Sequence, residues 1–136
     1  MANSLTEHGE ELMLFGDGSS DGSLARLAAK VKLYLNTSTP DKDGTGFNEV
    51  ANGNGYVTDG KAITVASWTF SVVGGFGRIT LDDQTWTASG STIDNVQGAF
   101  ITDSADAAMA WWERSLATTL SPGDSLTLDD LYVSAG

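Results

Sequence analysis

Cysteine is absent from this chain of 136 residues, which excludes disulfide staples, thiolate metal sites and cysteine nucleophiles. Histidine occurs once, as His8, so no multi-histidine metal site can be assembled. Basic residues are scarce: 7 Lys and Arg stand against 18 Asp and Glu, a net charge of −11. Such a chain repels phosphate backbones and anionic lipid surfaces, so neither a nucleic-acid nor a membrane partner is expected. No apolar run approaches the roughly 18 residues that a bilayer-spanning helix needs. The opening residues, Met1 to Glu11, are acidic and lack the basic-then-apolar order of a secretion signal. Together these absences remove most enzyme and cofactor chemistries, and no cofactor is expected.

The chain that remains is rich in Gly, Ser and Thr, and 40% of it is hydrophobic against 18% charged, a balance that favours a folded domain over an acidic disordered tail. At roughly 150 residues per domain its length corresponds to one.

Residues 1–15 have helical grammar. Ser4-Leu5-Thr6-Glu7 fits a capping box, and Glu7, Glu10 and Glu11 suit the positive end of a helix. Leu5, Leu12 and Phe15 share one face of that helix, with Gly9 weakening its middle by about 1 kcal/mol relative to alanine. Asp17 to Ser23 reads as a flexible connector, and Leu24 to Ala29 as one further helical turn.

From Val31 the period becomes two. Val31, Leu33 and Leu35 fall on one face of a strand, and a long glycine-rich loop spans Thr37 to Gly55. Further strands are expected at Tyr56 to Ile63, Trp68 to Val72, Arg78 to Leu81, Gln84 to Ala88, Ile93 to Ile101, Ala107 to Trp112 and Ser125 to Val133. Short strands at this spacing predict an all-β antiparallel sandwich, jelly-roll-like or immunoglobulin-like, with a short N-terminal helix. Residues 1–30 form a helical docking arm and linker in this reading, and residues 31–136 the sandwich.

Few constellations offer chemistry. Asp41-Lys42-Asp43-Gly44-Thr45-Gly46 has the spacing that opens a calcium loop, but position twelve is Asn52 in place of the closing carboxylate. A solvated turn is the simpler reading. Asp82-Asp83 and Asp129-Asp130 are adjacent carboxylates, and glycosidases need two carboxyls facing each other about 5–9.5 Å apart. Neighbours on a strand point to opposite faces, which favours turn or strand-end roles instead. His8 lies far from any serine elbow, and G-x-S-x-G does not occur. Gly74-Gly75-Phe76-Gly77 lacks the lysine of a phosphate loop and reads as a bent strand connection. Of the tryptophans Trp68, Trp86, Trp111 and Trp112, the last two are adjacent, so one should face the core and the other outward, to a subunit, a sugar or only the next strand.

The stretch from Lys32 to Val133 resembles a family of small virion proteins of tailed bacteriophages, capsid decoration (cement) or minor tail proteins. The likeness lies in Leu33 to Gly46, Glu49…Gly53-Asn54-Gly55-Tyr56, Gln84-Thr85-Trp86-Thr87, Val96 to Asp103 and Leu120-Ser121-Pro122-Gly123-Asp124-Ser125-Leu126. That resemblance implies a non-enzymatic protein of the outer capsid surface that binds and stabilises a shell of major capsid protein, as homotrimers at threefold positions. Under it, Leu5, Leu12, Met13 and Phe15 would dock the arm, and Trp112 and Tyr132 would make lateral contacts. The alternative it leaves open is a tail, fibre or baseplate protein touching host glycans through Trp86 or Trp112.

Overall fold

The structure, a computed structural model, describes residues 4–9 and 23–134. Its strands are β1 (Ser4–Leu5), β2 (Lys30–Leu35), β3 (Lys61–Ala62), β4 (Trp68–Val73), β5 (Phe76–Leu81), β6 (Gln84–Thr87), β7 (Ile93–Thr102), β8 (Ala108–Leu120), β9 (Ser125–Leu128) and β10 (Leu131–Ser134). A one-turn helix, α1 (Leu24–Leu27), precedes β2, and a 3-10 turn (Val65–Ser67) precedes β4. Every pairing is antiparallel, in sheets ordered β1-β8-β7-β2-β3, β10-β5-β4 and β6-β9. The fold is the expected all-β, sandwich-like one.

Alternation places the core. Val31 and Leu33 on β2 lie opposite Ile101 and Ala99 on β7, which lie opposite Ala110 and Trp112 on β8. All six are buried in one cluster with Leu81, Trp86, Leu126, Leu128, Leu131 and Val133 from the two smaller sheets. The opposite face of β2 is covered too. There Tyr34 and Phe100 pack with Phe47 from the long loop and with Trp111. Gly98 makes this possible: a Cβ at that position would stand 2.1 Å from the Trp112 carbonyl oxygen and 2.7 Å from the Tyr34 hydroxyl. Tyr34 Oη fills the space and donates to that same carbonyl at 3.2 Å.

Several expectations are corrected. Ser4 does not cap a helix, because Ser4 and Leu5 pair with Trp111 and Ala110 as the edge strand β1. Thr6 takes the cap: its hydroxyl accepts from the Gly9 amide at 3.0 Å and donates to the Ala108 carbonyl at 2.6 Å, and residues 7–9 turn helical. Tyr56 to Ile63 yields only β3, since Gly60, at φ +75°, turns the chain back with its amide on the Val57 carbonyl. β8 runs on to Leu120, past Glu113 and Arg114, where the apolar pattern stops. The last expected strand is two, broken at Asp129-Asp130, where Asp130 adopts φ +52°.

The turns follow their residues. Pro122 and Gly123 sit inside a turn closed by the Asp124 amide on the Ser121 carbonyl, with Gly123 at φ +93°. That is type II geometry, which wants proline and then glycine.

Candidate functional site

The predicted docking residues are divided by the structure. Leu5 packs partly against the core beside Ala110. Leu12, Met13 and Phe15 lie outside the described residues, as does the connector from Asp17 to Gly22. Trp112 is fully buried and its indole N–H donates to the Tyr132 carbonyl at 2.9 Å, so it is a core residue and not a lateral contact. Its neighbour Trp111 takes the other face, in the aromatic cluster. Trp86 is also buried, which removes both tryptophans expected to stack on glycans. Tyr132 is half-buried on β10, with the Arg78 guanidinium 3.8 Å above its ring centre.

Most of the polar groups that a reactive site would need are joined to one another as crosslinks. Tyr56 Oη accepts from the Leu33 amide at 3.0 Å and donates to Glu49 Oε2 at 2.7 Å. Burial raises the Tyr56 hydroxyl above the ordinary tyrosine range, and Glu49 adds to the shift. Lys32, almost fully buried, lies 3.6 Å from Glu49 and 3.2 Å from Asp106. Lys30 joins Asp106 at 3.2 Å and Asp59 at 2.7 Å. Hydrogen bonds from Lys30 and then Lys32 hold the Asp106 carboxyl below the usual aspartate range. This chain of partners runs from the long loop across β2 to the turn before β8, with each charge set against an opposite one.

The other candidates resolve in the same way. Asp41 Oδ1 accepts from the Asp43 amide at 2.9 Å and the Thr45 hydroxyl at 3.2 Å, so this carboxylate shapes its own loop. His8 Nε2 lies 2.9 Å from Asp103 Oδ2, while Asp103 Oδ1 accepts from the Ala105 and Ala107 amides. This pair fastens the N-terminal turn to the β7–β8 connection. Asp82-Asp83 and Asp129-Asp130 are exposed corner residues. They interrupt what would otherwise be one long ladder, β5-β6 against β9-β10, at the step between Leu81↔Leu131 and Gln84↔Leu128. Among the described residues no cluster of His, Asp and Glu has the geometry to hold a metal.

One exposed surface among the described residues is apolar. β4 and β5 form a hairpin with Val73 opposite Phe76, closed by Gly74 and Gly75 at φ +61° and +85°. Two positive φ values in a two-residue turn are type I′ geometry, which a pair of glycines adopts readily. At its base the hairpin belongs to the core through Leu81, with Trp68 and Ile79 packed against it and Leu131 and Val133 of β10 alongside. Along β4 the same face continues outward from Trp68 to Phe70 and Val72, and these last two are 69% and 64% exposed. Val73 is 45% exposed at the tip. Alternation in the sequence already put Trp68, Phe70 and Val72 on one face. That the face leaves the core halfway along was not legible, because exposure depends on where the opposing layer ends.

Compared with known proteins, the chain matches no family model, no curated protein and no solved structure.

Proposed function

We propose that this protein is a non-enzymatic structural component of a phage virion, a decoration protein that binds the outer surface of a shell built by the major capsid protein and stabilises it. The observation that carries this reading is the contrast between the two kinds of surface. Lys30, Lys32, Glu49, Asp106 and Asp59 are joined in internal crosslinks, whereas among the described residues an apolar β-hairpin stands exposed on a strongly acidic body. Such a surface binds by burying area and pairing backbone, and breaks no bonds. Acidity suits an outer face, where it opposes contact with packaged nucleic acid. The order of motifs from Lys32 to Val133 supports the same reading by resemblance. Of the residues assigned to docking, Leu5 packs partly on the core beside Ala110.

Purified protein added to shells that lack it tests this. Saturable binding at many copies over the shell, with a raised temperature of particle rupture, is the expected result. Absence of binding, or density confined to a tail tip, would overturn it.

A further inference from the structure

We infer that the β4–β5 hairpin is a self-association element whose occupant is the same hairpin of a second copy, paired antiparallel through the free edge of β4. This goes beyond shell binding and rests on that reading only in taking the hairpin as a binding surface: the free edge of β4 takes the second copy, and contact with the shell falls to the other surfaces of the resulting pair.

The first argument is the edge itself. In the order β10-β5-β4, β4 has a single neighbour among the described residues along its whole length of six residues. Edge strands left in water are ordinarily blunted by charge, proline or a bulge. β4 reads Trp-Thr-Phe-Ser-Val-Val and pairs with β5 in unbroken register, so it has none of these. The contrast with other edges of the molecule is local. β2 is sealed by the long loop, with the Leu35 amide on Asn48, the Val50 amide on Leu33 and the Leu33 amide on Tyr56. The half of β8 beyond β1 carries Glu113 and Arg114.

Charge gives the second argument. From Gly60 to Leu81 the sequence holds no aspartate or glutamate, in a chain whose net charge is −11. Two such chains repel over most of their surfaces. An isologous contact places one patch against its own copy, so it forms most readily where the acid is missing. The hairpin supplies that patch, with Phe70 and Val72 exposed on it.

Register supplies the third. In a two-residue hairpin the residues flanking the turn are a hydrogen-bonded pair, and pairs alternate from there. Thr69, Ser71 and Val73 therefore bond to β5, and the backbone groups of Phe70 and Val72 face outward. Among the described residues those groups have no backbone partner. A twofold axis at Ser71 sets Phe70 of each copy opposite Val72 of the other, so each pair exchanges two hydrogen bonds. It also makes an aromatic–β-branched contact on the apolar face, a favourable cross-strand pair. The contact closes as a pair, whereas family resemblance would imply a threefold cluster.

The test uses the full chain in solution without any shell, so its outcome is separate from that of the shell-binding assay. Light scattering on the eluting protein should give the mass of two chains. Phe70→Lys and Val72→Lys, at exposed positions, should each give the mass of one chain with circular dichroism unchanged. Because the chain has no cysteine, Ser71→Cys provides a positive readout. Facing residues of a non-hydrogen-bonded pair have Cα atoms about 4.5 Å apart, within the roughly 4.4–6.8 Å that a disulfide spans. Mild oxidation should crosslink Ser71→Cys to completion and leave Ser89→Cys, on an exposed loop, largely single. One-chain mass at every concentration, three-chain mass, a pair indifferent to both lysine variants, or equal crosslinking at the two cysteine positions would each overturn the inference.

Discussion

Phe47 stacks on Phe100 with ring centres 4.4 Å apart and planes 11° from parallel, and through that contact a loop residue roofs a strand residue. Trp111 and Tyr34 meet the Phe47 ring edge-on at 5.9 and 5.6 Å. Phe47 is thus the central ring of a second, smaller core, and it holds the loop between β2 and β3 against the outer face of the large sheet.

Removing that ring should loosen the loop more than the sandwich. Phe47→Ala forfeits a half-buried aromatic and its ring contacts, so a destabilisation of about 2–3 kcal/mol is expected. Limited proteolysis should then cut first within residues 36–60. Equal protection of that loop in the variant and the parent protein would contradict the role assigned to Phe47.

The short elements were legible in the sequence because their cause is local. Period two marked β2, β4 and β7, and Pro122-Gly123 marked the turn after β8. The residue that organises the outer layer was not legible, since Phe47 sits among glycines and asparagines in a stretch with no period. Its partners Phe100 and Tyr34 are distant from one another in sequence and are brought close by the register of β2 with β7. Trp111 and Trp112 show the limit from the other side. Alternation required that they face opposite ways, but which one faced the core depended on Ala110 and Ala99 sharing the Trp112 face. At the N-terminus the Ser4 capping box lost to tertiary pairing, because the backbone of β8 beside Ala110 and Trp111 offered Ser4 and Leu5 a strand partner.

Gly98→Ala should be among the more damaging single-methyl additions. The new Cβ would meet a backbone oxygen, that of Trp112, at 2.1 Å, and backbone cannot swing aside as a side chain can. Overpacking of this kind costs about 1–3 kcal/mol. Tyr34→Phe on the same background should recover little, since it relieves only the hydroxyl contact. Urea denaturation of the single and double variants checks this, and full recovery in the double would show that the tyrosine alone sets the strain.

Tyr56→Phe removes one oxygen, which leaves the Leu33 amide unsatisfied and takes one hydrogen bond from Glu49, a carboxylate that keeps Lys32. Stranded buried groups of this kind cost about 1–3 kcal/mol. The variant also has an alkaline signature. Burial holds the Tyr56 proton above the ordinary range, whereas an unfolded tyrosine releases it near pH 10. Its stabilising contribution is therefore complete below about pH 10 and is lost as pH rises further, when the unfolded chain sheds a proton that the native chain keeps. Tyr34, raised by burial in the same way, adds a second such group. Urea midpoints should fall steeply above about pH 10 in the parent protein and less steeply in Tyr56→Phe. Equal slopes would mean that the Tyr56 hydroxyl is not buried in solution.

At the acid end the corresponding group is Asp106, whose carboxyl is held low by hydrogen bonds from Lys30 and Lys32. A depressed carboxyl stabilises the fold at pH values above the unfolded aspartate value of about 3.9, and that contribution disappears as pH falls through the native value. Asp106→Asn isolates this charge cleanly. The residue adopts φ +64°, a left-handed conformation that asparagine tolerates, so the turn itself should survive. The variant should be less stable than the parent at neutral pH, by an amount that shrinks in added salt because Asp106 is exposed. The two proteins should converge as the pH falls through the native Asp106 value, where the parent has also lost the charge. If the gap persisted in strong acid, the loss would lie in turn geometry, and the ion pairs of Lys30 and Lys32 with Asp106 would have no measurable part in holding the β7–β8 turn against β2.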